Sequence, residues 1–122
     1  ILENLCSLLL RFRTKKIGII ADIEKAFLQV SIQEKDRDVT SFLWIKDIRK
    51  KELNENIETY RFTRVPFGII SSPFLLAGTV RHHLEQVNTS ISRQIRDDIY
   101  VDNVVTGVDE ENVAVKLYRE RK

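Results

Sequence analysis

The sequence predicts an α+β fold in which an antiparallel sheet carries helices on one face. Three observations lead there. "IGIIAD" at 17–22 is a strand-length apolar run ending in an acid. "VTSFLWIKD" and "IETYRFTRV" read as two antiparallel strands joined by the polar "IRKKELNEN". "QIRDDIYV" reads as a strand that turns at Asp102 and Asn103 and returns as "VVTGV". The 122 residues, 43% hydrophobic and 31% charged, fit one globular domain, 1–122, and exclude disordered and collagenous classes.

Element by element, Leu2, Leu5, Leu9 and Phe12 recur at helical spacing and predict a helix over 2–12. The strand 17–22 follows, with Asp22 at its end. "IEKAF" predicts a tight helical turn, "LQVSI" alternates apolar and polar, and "QEKDRD" predicts a short surface helix. After the hairpin, with its long, basic and mobile tip, "VPFGIISSPFLLAGTVRHHLEQV" starts as a loop and becomes a helix. Ser72 is placed to cap that helix, Pro73 suits its first position, and Leu76, Val80, His83 or Leu84, and Val87 form its stripe. "NTSISR" reads as a polar connection. A last helix is expected after Asp109 as cap, with Val108 and Val113 as a hydrophobic staple.

Several function classes fall away. The longest apolar stretch is interrupted by Gly, Ser and Pro and is too short to span a bilayer, and no signal peptide is recognisable. The single Cys6 supplies neither an internal disulfide nor a zinc cluster, which points to an intracellular chain and to oxygen as the only donor for a metal. His82 and His83 are adjacent on a helix and point about 100° apart, unlike a ligand pair on one face. Ser71 and Ser72 lack a His–Asp partner set for acyl transfer. The net charge is only +2, yet cations gather at Arg11, Arg13, Lys15 and Lys16, at Lys46, Arg49, Lys50 and Lys51, and at Arg61 and Arg64. These runs are solvated faces or a footprint for a polyanion.

The acids carry the sharper signal. Asp22 and Asp102 both end strands, and about 80 residues of sequence between them are bridged only if the strands are neighbours in one sheet. Carboxylates gathered at a sheet edge repel one another unless hard cations such as Mg²⁺ neutralise them. That arrangement is what two-metal phosphoryl transfer requires. The bland reading, an acid that caps a turn, stands beside it. Asp97 and Asp98 are expected to face solvent or to pair with Arg93 or Arg96.

"ADIEKAFLQV", "RVPFGIISSPF" and "IYVDNVV", in this order and spacing, resemble the palm motifs of reverse transcriptases. The wording "LLRFR…ADIEKAFLQV…PFGIISSPFLLAG…YVDN" is similar to the Pao/BEL group of LTR retrotransposon polyproteins, over roughly residues 5–108. The resemblance implies a polymerase palm with part of the fingers, acting in RNA-directed DNA polymerisation. It makes Asp22 and Asp102 the metal-binding carboxylates, with the Ile23 carbonyl as a further ligand and two Mg²⁺, or Mn²⁺, as cofactors. Phe27 falls where the family places an aromatic gate under the incoming sugar, with a buried core phenylalanine as the lesser reading. Pro66, Phe67 and Gly68 match the loop against the dNTP, while Tyr100 and Val101 match positions touching the primer end, or are packed strand residues.

Asn103 departs from the commoner second Asp. Its amide oxygen can coordinate, but one negative charge is missing, which weakens metal affinity. The implied partners are an RNA or DNA template with primer, dNTPs, and the remaining segments of a retroelement polyprotein, with no membrane. Thumb, RNase H and N-terminal fingers strands are not recognisable in the 122 residues, so this segment alone is expected to polymerise poorly. The other reading is a catalytically inactive remnant that binds nucleic acid or only packs.

Overall fold

The computed structural model describes residues 4–51 and 55–120. Leu2, the first residue of the predicted helical stripe, and Glu52–Asn54 of the hairpin tip lie outside the described residues. The order is α1 (Leu5–Arg13), β1 (Ile17–Asp22), α2 (Ala26–Gln29), a 3₁₀ segment (Glu34–Thr40), β2 (Ser41–Ile45), β3 (Ile57–Arg61), α3 (Ser72–Val87), α4 (Ser90–Asp97), β4 (Ile99–Tyr100), β5 (Asn103–Val108) and α5 (Glu111–Glu120). The fold is α+β, with two antiparallel sheets, β1-β5-β4 and β2-β3.

β5 lies at the centre of the larger sheet. It pairs with β1 from Ile17↔Val108 to Asp22↔Asn103, and with β4 through Ile99↔Val104 and Tyr100↔Asn103. Gly18 and Gly107 are opposite one another in this register. A Cβ on Gly18 would lie 2.6 Å from the Phe12 ring, and one on Gly107 would lie 2.5 Å from Lys15 Cβ. The paired glycines thus let α1 and its C-terminal turn lie directly on the sheet. Gly107→Ala cannot be accommodated by swinging away the end of a flexible chain, because its neighbours are Lys15 Cβ and the Ile17 carbonyl. It is expected to cost about 1–3 kcal/mol by overpacking, read as a lower urea midpoint.

The stripe predicted for α1 is rotated. Leu8 is fully buried, whereas Leu5 and Leu9 are 43% and 45% exposed. Phe12, which covers Gly18, fixes the buried face, and Leu8 is its i, i−4 neighbour. Cys6 is exposed on the same helix. Asn4 caps α1, its Oδ1 accepting from the Cys6 and Ser7 amides.

A second correction concerns residues 88–98. The stretch read as a connection and the first part of a strand is α4, and β4 is only two residues long. Thr89 Oγ1 accepts from the Ser92 amide while Ser92 Oγ accepts from the Thr89 amide, a reciprocal capping box that starts the helix. Asp97 and Asp98 therefore end a helix. Asp97 pairs with Arg96, as the sequence suggested, but Asp98 is half-buried and engages Arg11 and Thr106.

α3 begins at Ser72 and not after it, with Ser71 as a cap that makes no side-chain bond and Pro73 in the first turn. Ser72 is buried and donates its hydroxyl to the Pro66 carbonyl at 2.7 Å. α5 begins at Glu111, so Asp109 precedes it by two residues and pairs instead with Lys15 Nζ at 2.9 Å. That hydrogen bond holds the Asp109 carboxyl below its ordinary range.

In the β2–β3 hairpin the predicted cations are largely matched. Lys46 pairs with Glu58, Arg49 with Asp47, and Arg61 with Asp38. The Lys46 hydrogen bond lowers the Glu58 carboxyl and raises the lysine. Asn56, unremarked in sequence, is 3% exposed and closes the hairpin: its Oδ1 accepts from the Asp47 amide and its Nδ2 donates to the Asp47 carbonyl. Among the described residues no helix is long and apolar enough to cross a membrane.

Candidate active site

The end of the β1–β5 pair gathers the predicted acids. Six residues of β1 bring the chain to Asp22, and the Ile23 amide continues the ladder by donating to the Asp102 carbonyl at 2.9 Å. Asp22 lies opposite Asn103, and Asp102 is one position further on, so the direct cross-strand partner of Asp22 is the asparagine. The turn falls at Val101 and Asp102, one residue earlier than expected, with Asn103 already in β5. Asp22 is exposed and Asp102 half-buried.

Asn103 does not stand free beside the acids. Its Nδ2 donates to Asp102 Oδ1 at 2.8 Å. An N–H donor thus meets a carboxylate oxygen where a second Asp would place a like charge. The Ile23 carbonyl also has a partner, accepting from the Ala26 amide at 3.1 Å, which leaves one lone pair for another contact.

Val101 has φ 59°, a left-handed conformation that costs a non-glycine residue about 1–3 kcal/mol and most disfavours a β-branched one. It is partly buried against the cluster formed by Ala26, Phe27, Val65 and Leu76. Tyr100, in β4, is half-buried opposite Asn103. The same cluster brings the loop to the acids. Residues 30–32 and 63–65 run antiparallel, with the Val65 amide on the Val30 carbonyl and the Ile32 amide on the Thr63 carbonyl, both at 3.0 Å. Arg64 reaches the Ser31 hydroxyl across that pair.

Beyond Val65 the loop turns through Pro66, which is buried, and Phe67, which is 82% exposed. Gly68 adopts φ +87°, and a Cβ there would meet nothing within 4 Å. Backbone conformation, and not crowding from within the chain, is therefore what glycine serves at this position. Phe27 is 6% exposed, and its ring meets that of Phe67 edge to face with centroids 4.6 Å apart. One buried and one exposed aromatic ring thus form a continuous wall from the core to the surface.

The donor set is two carboxylates, a backbone carbonyl and an amide side chain, all hard oxygen ligands. Mg²⁺ is commonly held by one or two carboxylates with water and substrate phosphates completing its shell, so this set fits that ion. Among the described residues no group of three or more His, Cys, Asp and Glu side chains is placed to hold a metal. The two acids would therefore need oxygens from substrate or water. His82 faces Gln86 on α3, and His83 is exposed on the same helix. The structure brings together Asp22, Ile23, Asp102 and Asn103 at the sheet end and Phe27, Pro66, Phe67 and Gly68 along the adjoining loop. Val101 links the two groups.

A family model described as reverse transcriptase (RNA-dependent DNA polymerase) matches residues 3–122. No curated protein matches the chain.

Proposed function

The chain belongs to the reverse transcriptase (RNA-dependent DNA polymerase) family, and on that premise we propose that residues 1–122 are the palm and part of the fingers of such an enzyme. Asp22 and Asp102 are its cation-binding carboxylates. The observation that carries this reading is the register of β1 on β5, which sets Asp22 opposite Asn103 and joins the Ile23 amide to the Asp102 carbonyl. In the reaction the primer 3′-hydroxyl attacks the α-phosphate of a dNTP opposite an RNA or DNA template, and pyrophosphate leaves. Two bound Mg²⁺, or Mn²⁺, would supply Lewis acidity and neutralise phosphate charge.

The chain's own residues do the rest. Asp22 and Asp102 supply negative charge, and the Ile23 carbonyl supplies one further oxygen. Asn103 holds one Asp102 oxygen through its N–H and so orients that carboxylate. The Phe27–Phe67 wall and the Gly68 turn form the side against which a nucleotide sugar packs, while Tyr100 and Val101 approach the primer end. The wording of the motifs supports a Pao/BEL retrotransposon lineage, with the remaining polyprotein segments as partners in an intracellular particle.

Primer extension on an RNA template, with the segment carried in a full-length polymerase and supplied with Mg²⁺ or Mn²⁺, tests this function. Template-dependent extension is expected. Folded protein that binds primer–template and extends nothing with either metal would support the second reading, a non-catalytic remnant. One observation favours that second reading: the Asn103 amide occupies an Asp102 oxygen.

Asn103→Asp is expected to strengthen Mg²⁺ binding about tenfold and, without Mg²⁺, to lower stability by about 0.5–1 kcal/mol through like-charge repulsion. Thermal melts with EDTA and with Mg²⁺ check both signs. A variant equally stable in the two conditions would contradict this account of the asparagine.

A further inference from the structure

The hairpin that carries Asp102 is held in a conformation its own sequence resists. Val101 sits in the left-handed region, so the turn needs support from outside itself. That support lies at the hairpin's root. Asp98 is the C-cap of α4 and immediately precedes β4. Its carbonyl accepts from the Val105 amide at 2.8 Å, and its Oδ2 accepts from Thr106 Oγ1 at 2.5 Å. Thr106 is 1% exposed, and its oxygen also accepts from Gln94 Nε2 at 2.9 Å. Arg11 Nη2 donates to the Asp97 carbonyl at 2.6 Å and lies 3.5 Å from Asp98 Oδ1.

Two choices in this network need a reason. An acid at a helix C-terminus faces the negative end of the dipole, and a hydroxyl is buried in a strand otherwise made largely of Val and Gly. Both are explained if the pair encodes register. Asp98 addresses β5 twice, by its carbonyl at Val105 and by its carboxylate at Thr106. A slip of one residue would set Val105 or Gly107 against the carboxylate, and neither has a hydroxyl.

We propose that Asp98 and Thr106, with Arg11 offsetting the charge at the helix end, form a clamp that locks β4 on β5 and so holds the strained Val101 turn. Asp98 and Thr106 are then positioning residues for Asp102. That functional consequence rests on the proposed role of Asp102, whereas the clamp itself does not.

Amide hydrogen exchange followed by NMR on the 122-residue chain tests the clamp. Three amides report: Val105 on the hairpin root, Ile23 on the Asp102 carbonyl, and Val65 as a control bonded to Val30. Thr106→Val is expected to speed exchange about tenfold at Val105 and Ile23 and to leave Val65 within about twofold. Thr106→Ser, which keeps the hydroxyl, is expected to match the wild type. Adding Val101→Gly to Thr106→Val is expected to restore both rates to within about threefold, because glycine leaves no strained turn to be held.

Unchanged rates at Val105 and Ile23, equal acceleration at Val65, or failure of Val101→Gly to restore protection would each overturn the clamp. Where Thr106→Val does not fold, Asp98→Ala, which removes the acceptor of the Thr106 hydroxyl, is read by the same criteria. Mn²⁺ titration of the wild type separates the two claims. Mn²⁺ that leaves the Asp102 signals unbroadened, alongside the expected exchange pattern, would sink the cation site and leave the clamp standing.

Discussion

Asp22→Ala is expected to lower primer extension about a thousandfold or more while leaving the fold intact. Among the described residues the Asp22 carboxylate has no hydrogen-bond or ion-pair partner, and it is exposed at the end of β1. A surface carboxylate without partners contributes little to stability, so its removal should change unfolding by no more than about 0.5 kcal/mol. Its effect on chemistry is of a different size. On the proposed role, a carboxylate that holds a cation against the negative charge developing on phosphate acts on several kcal/mol of transition-state stabilisation, and about 4 kcal/mol corresponds to a thousandfold in rate. Extension by the Ala variant within tenfold of wild type would mean that Asp22 is not in the catalytic site. Loss of extension together with a lowered urea midpoint would mean that it acts through the fold.

Leu76→Ala is expected to give the largest loss of stability, about 2–5 kcal/mol in urea denaturation. Leu76 is 2% exposed and packs with Ala26, Phe27 and Val65, against which Val101 also rests. A domain of this size has about 5–15 kcal/mol in total, so one cavity here removes a sizeable part. The same cavity would undercut both halves of the site. Phe27 supports Phe67, and the cluster supports the Val101 turn. A loss below about 1 kcal/mol would show that this cluster is not what joins the loop to the acids.

The elements closest to the acids were legible because their signals are local. The strand-length apolar run "IGIIAD", closed by an acid, and the apolar return after Asn103 are each recognisable within six residues, and together they put Asp22 and Asp102 at one sheet end. Pro73, the Gly68 turn and the β2–β3 hairpin follow from residue chemistry within a few positions. Other features depend on distant partners. Whether Leu5 or Leu8 is buried is decided by where Phe12 lands on Gly18, and nothing within α1 announces that contact.

α4 was hidden for a related reason. Ile95, Ile99 and Val101 look like one strand when the polar residues before them are read as a connection. The reciprocal Thr89–Ser92 cap was the available signal, weaker than one closed by Glu or Gln. Asp98 could not be given its role from sequence, because its partners Arg11 and Thr106 come from a helix 87 positions away and a strand eight positions on. The cations of the β2–β3 hairpin were visible, but their pairing with Asp38, Asp47 and Glu58 depended on cross-strand and turn geometry.

The central claim is that the ends of β1 and β5 form one divalent-cation site, and a site-resolved Mn²⁺ titration of the 122-residue chain by NMR measures it most directly. The account predicts paramagnetic broadening centred on Asp22, Ile23 and Asp102, relieved by competing Mg²⁺ and lost in Asp22→Ala. Broadening centred elsewhere, or unchanged at Asp102 in Asp22→Ala, would contradict it.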